Sequence, residues 1–204
     1  MNNLEKIVEN IRLALDARDK ARETVLPVCR DAIRFCSQSI RAIHRHQFDT
    51  AEELLGQAGE LIRRATYTIA SCPDIGSGML RDAQKEFAEG NITFAIVNGK
   101  ELPEPADLSV DGIAYLNGLG EAVGEVRRFI LDSMRKGDLS RGEELLGVMD
   151  DIYSVLVTID YPDVVTGGLR RTTDLVRGVL ERTRSDLTLS IQQKSLETRL
   201  ESFK

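Results

Sequence analysis

The chain has 204 residues, 42% hydrophobic and 29% charged, a balance that excludes general disorder and supplies enough length to bury a core as one domain spanning 1–204. The net charge of −6 excludes a broad basic coat for nucleic acid, and no run approaches the roughly 18 apolar residues of a membrane span. The N-terminus, MNNLEKIVENIRLALDARDK, is charged throughout and lacks a signal-peptide core, so a cytoplasmic protein is expected.

Three cysteines cannot all pair internally, and Cys29 and Cys36, two helical turns apart among apolar neighbours, read as reduced and buried. His44 and His46 are too close to share a helix face and have no cysteine at ligand spacing, so no zinc site is expected. There is no Ser/His/Asp arrangement and no glycine loop of the P-loop or dinucleotide type. Arginine supplies 20 of the 27 basic residues, which leaves room for a local phosphate-binding surface despite the acidic total.

Helical periodicity accounts for nearly the whole chain and no stretch alternates strictly, so the fold class is all-α, a bundle of about six or seven helices. The first helix is expected from Asn3 to His46, with Leu4, Ile7, Val8, Ile11 and Leu15 as its early stripe. Pro27 predicts a kink or two abutting helices. Farther along, Ile33, Phe35, Ile40 and Ile43 supply apolar contacts, while Arg30, Arg34, Arg41 and Arg45 fall close to one line on another face. That line suits a phosphate backbone, and equally an exposed face salt-bridged to its neighbours.

Asp49-Thr50-Ala51-Glu52 has capping-box character and opens a second helix that stops near Ser71-Cys72-Pro73. After the turn DIGSG, a third helix runs from about Met79 to Val97 and carries Glu86 and Glu89 on one face beside Gly90. Residues 98–109, with two prolines, form the clearest loop. The central helix follows, from Tyr115 to Asp138, with a core stripe through Leu119, Val126 and Ile130. Beside that stripe Glu121 and Glu125 lie one turn apart among Gly118, Gly120 and Gly124. Each glycine weakens a helix by roughly 1 kcal/mol against alanine, so their clustering calls for a close neighbour such as another helix, a metal or a phosphate. A further helix is expected from Ser140 to about Asp160, then the turn TIDYPDVVTGG, then a long final helix from Leu169 with a charged tail.

Antiparallel packing of the third and central helices would bring all four acids together. Four such carboxylates are hard oxygen donors suited to Mg²⁺, with Mn²⁺ as a substitute, and a divalent ion there activates water and polarises a phosphoryl oxygen. A di-iron bundle wants Glu-x-x-His motifs, and both histidines fall outside the acidic pairs. Three readings stay open on these residues: a metal-dependent phosphoryl enzyme, a helical binding protein with an incidental acidic patch, and a scaffold. An all-helical nucleotide pyrophosphohydrolase, which also places E-x-x-E pairs on packed helices, is a further possibility from another class.

Beyond these patterns, VCRDAIRFCSQSIRAIHR resembles the first helix of translin and translin-associated protein X, notably at Arg30-Asp31 and His44-Arg45. YLNGLGEAVGEVRR followed by GDLSR is similar to that family's tyrosine-leucine-x-glycine helix and glycine-aspartate turn. DDIYSVLVTIDYPD and LRRTTDLVRGVLERTRSDL resemble its closing helices. The resemblance implies a helical subunit of a hollow homo-oligomer, usually an octamer, that encloses RNA or single-stranded DNA. It implies in the catalytic type a Mg²⁺-dependent endoribonuclease, and in translin itself a binding subunit. Glu86 and Glu89 match the catalytic type's first acidic pair, and Glu121 and Glu125 its second, with glutamate at 121 where the family has aspartate. The implied metal-holding and catalytic set is therefore Glu86, Glu89, Glu121 and Glu125. The implied RNA-binding set is Arg30, Arg34, Arg41, Arg45 and Arg128, of which Arg30, Arg45 and Arg128 align with family arginines. Two departures are Gly142, where the family tends to proline, and a basic stretch reduced to Arg81 and Lys85.

Overall fold

A run of good helix formers from Leu4 onward makes one 41-residue helix, α1 (Leu4–His44), in the computed structural model, which describes residues 3–70 and 77–202. Pro27 lies inside this single helix, so the alternative of two abutting helices does not hold. Pro27 has no N–H to donate to the carbonyl of Glu23, which is an exposed residue. Only the second half of α1 meets the core, through Val25, Cys29, Ala32, Cys36, Ile40 and Ile43. The early stripe of Leu4, Ile7, Val8, Ile11 and Leu15 is 45–58% exposed.

A tight turn leads into α2 (Phe48–Ala70), which packs back on α1 and places Ala51, Leu55, Ala58, Ile62 and Ala65 inside. Inside this hairpin, buried Ser39 Oγ donates to the carbonyl of Ala51 at 2.9 Å. The helix starts at Phe48, so Asp49 stands in its first turn, favourably placed for the helix dipole, and is not the cap. The expected stop at Ser71-Cys72-Pro73 and most of the DIGSG turn lie outside the described residues.

Next come α3 (Ser77–Val97), α4 (Pro105–Leu108), α5 (Gly112–Arg135), α6 (Gly142–Val157), α7 (Asp163–Thr166) and α8 (Leu169–Glu201). Among the described residues the eight helices exceed the expected six or seven because the loop at 98–109 and the turn at 158–168 each hold one helical turn. In the first of these, Pro105 presets the backbone and the Asp107 carboxylate accepts from the Glu104 N–H at 3.1 Å. The central helix starts three residues earlier than expected because Asp111 caps it, accepting from the N–H groups of Ile113 and Ala114 at 3.0 and 3.3 Å.

One relationship between α3 and α5 differs from the antiparallel expectation. Arg81 shares a cavity wall with Ala114 and Asn117, Lys85 bonds Glu121, and Val97 and Asn98 share another cavity wall with Phe129 and Ser133. Partner numbers rise together, so the two helices run parallel. The physical reason is the connection: a 21-residue helix is about 32 Å long, and the residues between α3 and α5 can span about 45 Å when extended. The chain therefore has the reach to return along the helix before starting α5. Against α5 also pack α6 and α8, and the three pairings enclose Leu119, Val123, Val126, Ile130, Leu145, Met149, Leu156, Val176 and Leu180.

Candidate metal centre

A missing side chain sets how closely α3 and α5 pack. A Cβ at Gly118 would stand 2.6 Å from the carbonyl oxygen of Lys85 and 2.8 Å from the Cβ of Ala88, so only glycine lets α5 approach α3 this closely. Gly120 does the same towards α8, where a Cβ would meet Thr172 Cγ2 at 2.4 Å. Gly124, by contrast, faces open space. Two of the three glycines thus serve helix contact.

The approach places Glu86, Glu89 and Glu121 so that one carboxylate oxygen from each lies within 4.8 Å of the others. Glu121, a methylene longer than the family's aspartate, reaches this group. Glu125 stands outside it but lines the same cavity of about 270 Å³ with Glu86, Glu89, Arg41 and Arg128. Its Oε2 lies 2.5 Å from His44 Nε2 and 3.7 Å from Arg128 Nη1.

The cluster's electrostatics favour a cation. Burial, reinforced by Glu86, Glu121 and Glu125, pushes the Glu89 carboxyl up to about 8. Glu86 is raised too, chiefly by burial. Lys85 is the one ammonium among them, 2.7 Å from Glu121 Oε1 and 3.7 Å from Glu86 Oε1. Burial opposes its charge, but the hydrogen bond to Glu121 and the attraction of Glu121, Glu86 and Glu89 outweigh that, and its pKa is raised. The nearby Cys36 thiol is pushed up to about 12 by burial and then by Glu86 and Glu89, which leaves it inert. An all-oxygen donor set with excess negative charge in a half-buried cleft fits a hard divalent ion.

Of the arginines expected to bind RNA, Arg41 and Arg128 reach the mouth of this cavity. Arg30, Arg34 and Arg45 lie exposed along α1, and Arg34 pairs with Asp31 at 3.1 Å and stacks on Phe35. The expectation that the histidines fall away from the acids is corrected: His44, with its side chain only 5% exposed, belongs to the site. One sequence signal bears on this, since His44 follows Ile40 by one turn on the buried side of α1. A Glu-x-x-His pattern is still missing from the sequence.

No protein-family profile matches the chain. The sequence is similar to an uncharacterised protein of Methanocaldococcus jannaschii, 32% identical over 185 residues that cover 90% of this chain and 82% of that one. Among solved structures, AfC3PO aligns with a TM-score of 0.85 and 34% identity, covering 91% of this chain and 97% of that one, both in its crystal structure and in a complex with duplex RNA. Apo-NeC3PO aligns with a TM-score of 0.81 over 90% of this chain and 96% of that one; at 16% identity the likeness is one of fold.

Proposed function

Because the chain belongs to the translin and C3PO family, we propose that it binds RNA and hydrolyses the phosphodiester with a divalent cation, Mg²⁺ or Mn²⁺, held by Glu86, Glu89, Glu121 and Glu125. The observation that carries this reading is the convergence of carboxylates from α3 and α5 on one cavity whose rim bears Arg41 and Arg128. When bound, the ion supplies an activated water and charge stabilisation at the phosphoryl group.

The protein's own residues divide the remaining work. Glu86, Glu89 and Glu121 would hold the cation through their carboxylate oxygens, in competition with the Lys85 ammonium that bonds Glu121. His44 donates Nε2–H to Glu125 and fixes that carboxylate's orientation. Arg41 and Arg128 hold the strand by its phosphates, with little sequence preference. Phosphate would otherwise be repelled by the carboxylates, so binding at this cavity requires the cation. The assembly is a homo-oligomer, an octamer by the family resemblance, in the cytoplasm. The exposed apolar stripe at the start of α1 supports self-association. Among the described residues no helix is long and apolar enough to cross a membrane.

One observation favours a second reading, RNA binding without cleavage: Lys85 already neutralises Glu121 and Glu86 without a metal. End-labelled single- and double-stranded RNA, incubated with Mg²⁺ or EDTA and with the wild type or Glu125→Ala, separates the two. Mg²⁺-dependent fragments that vanish in the variant support the nuclease. Bound but intact RNA in every lane overturns it in favour of the binder.

A further inference from the structure

A second charged cavity, of about 430 Å³, adjoins the carboxylate cluster through Lys85 and Glu121. Arg81 and Asp82 from α3, Asn117 from α5 and Arg171 from α8 line it with those two residues, along with the backbone at Gly167 and Gly168. Three cations drawn from α3 and α8 thus converge beside a cleft already read as a phosphodiester site.

Neither arginine is held in an ion pair, a condition that Arg30, Arg41, Arg45 and Arg64 share among the described residues. Arg12, Arg34, Arg63, Arg127, Arg141 and Arg184 each hold a carboxylate at 2.7–3.1 Å. Among the described residues, Arg81 and Arg171 are exposed and have no carboxylate within ion-pair distance. Of the acids in this wall, Glu121 is occupied by Lys85 at 2.7 Å, which leaves Asp82 against two free guanidinium groups. The cavity is short of negative charge.

Its backbone is shaped for a close approach. Gly167 and Gly168 have φ of +60° and +88°, a double left-handed bend that side-chain-bearing residues adopt only with strain. A Cβ at Gly167 would lie 4.0 Å from Arg81 Nη1, so that guanidinium is close to the bend. Asn117 pins the segment: Nδ2 donates to the Thr166 carbonyl at 3.1 Å, and Oδ1 accepts from Thr172 Oγ1 at 2.9 Å. The first turn of α8, which carries Arg171, starts at this bend. Arginine forks beside accessible backbone recognise tetrahedral oxyanions.

We propose that this cavity is a phosphate-binding site, filled by a strand phosphate neighbouring the one that meets the carboxylates. The source of that phosphate rests on the RNA reading above; the chemistry of the cavity does not. A free phosphoanion such as pyrophosphate offers the same group.

The test uses the full chain as wild type, Arg81→Ala, Arg171→Ala and, as a control, Arg170→Ala, which removes an equal charge from a different cavity. Both target side chains are exposed, so the fold tolerates their loss. Anisotropy of a labelled oligouridylate of about ten nucleotides is read in EDTA between about 50 and 200 mM salt, with calorimetric titration of pyrophosphate and of Mn²⁺ alongside. The expected result is roughly tenfold weaker oligonucleotide binding in each target variant, with the log–log salt slope smaller by about 0.7, and unchanged Mn²⁺ affinity. Unchanged affinity and slope in both target variants overturn the site. If the wild type binds no oligonucleotide in EDTA and neither binds nor cleaves it with Mn²⁺ present, the RNA reading fails by itself. Pyrophosphate binding that is lost in both target variants then supports the cavity as a site for a free phosphoanion, and no pyrophosphate binding overturns it.

Discussion

His44 Nε2 and Glu125 Oε2 lie 2.5 Å apart, joining two residues 81 positions apart in sequence, and the ring's other nitrogen is buried without a partner. An ionised carboxylate only accepts, which puts the shared proton on Nε2. Nδ1 has no hydrogen-bond partner, so the ring's one polar contact is the one that aims Glu125.

Replacing His44 with alanine should therefore release Glu125. Loss of such a supporting contact costs about 10–100-fold in metal affinity. Mn²⁺ titration followed by electron paramagnetic resonance reads this directly, with circular dichroism to check that the helices persist. His44→Gln, which keeps a donor near the same place, should recover part of the loss. An unchanged Mn²⁺ affinity in His44→Ala would show that Glu125 needs no such support.

The glycines of α5 separate packing from propensity. Gly118→Ala pushes a methyl against the Lys85 carbonyl, so α3 and α5 must part at a cost of about 1–3 kcal/mol. Gly124→Ala meets open space and should gain up to about 1 kcal/mol from helix propensity alone. Thermal melts of the two variants should move in opposite directions, and Gly118→Ala should also bind Mn²⁺ more weakly.

Glu89 predicts a pH dependence. Its folded pKa, raised to about 8, exceeds the unfolded value of about 4.5, so between these values the folded chain holds the proton that the unfolded chain has lost. In EDTA, this group's contribution to stability is fully present below about pH 4.5 and falls as pH rises towards 8. Divalent-cation binding needs the carboxylate ionised, so the stabilisation by Mg²⁺ or Mn²⁺ should grow over the same window. Melting temperatures from pH 5.5 to 9, with and without metal, test both slopes, and Glu89→Gln should flatten them.

At the start of α1, Ile7 and Ile11 are 46% and 54% exposed on a helical arm whose residues 4–20 are all exposed. The oligomer proposed above gives that stripe a second copy to cover it. Ile7→Glu combined with Ile11→Glu should reduce the particle mass measured by light scattering while leaving helicity unchanged. A mass equal to that of the wild type would remove the arm from the assembly.

Helix formation is a local property, and the sequence determined it well: spacings of three and four residues marked α1, α2, α3, α5, α6 and α8, and Glu86 with Glu89 and Glu121 with Glu125 were paired by periodicity alone. Short caps escaped this reading, because one turn at Pro105 or Asp163 has too few residues to show a period. An apolar stripe also reads alike whether it meets the chain's own core or another molecule, which is why the exposure of Leu4 to Leu15 was not legible. What only the tertiary structure decided is how distant helices meet. The connection from 98 to 111 returned far enough for α3 and α5 to run parallel, and Gly118 removed the one methyl that would have held them apart. His44 then met Glu125 and Lys85 met Glu121, contacts spanning 81 and 36 residues of sequence, and Arg171 came to line one cavity with Arg81. No periodicity encodes such contacts, since each depends on the packing of whole helices.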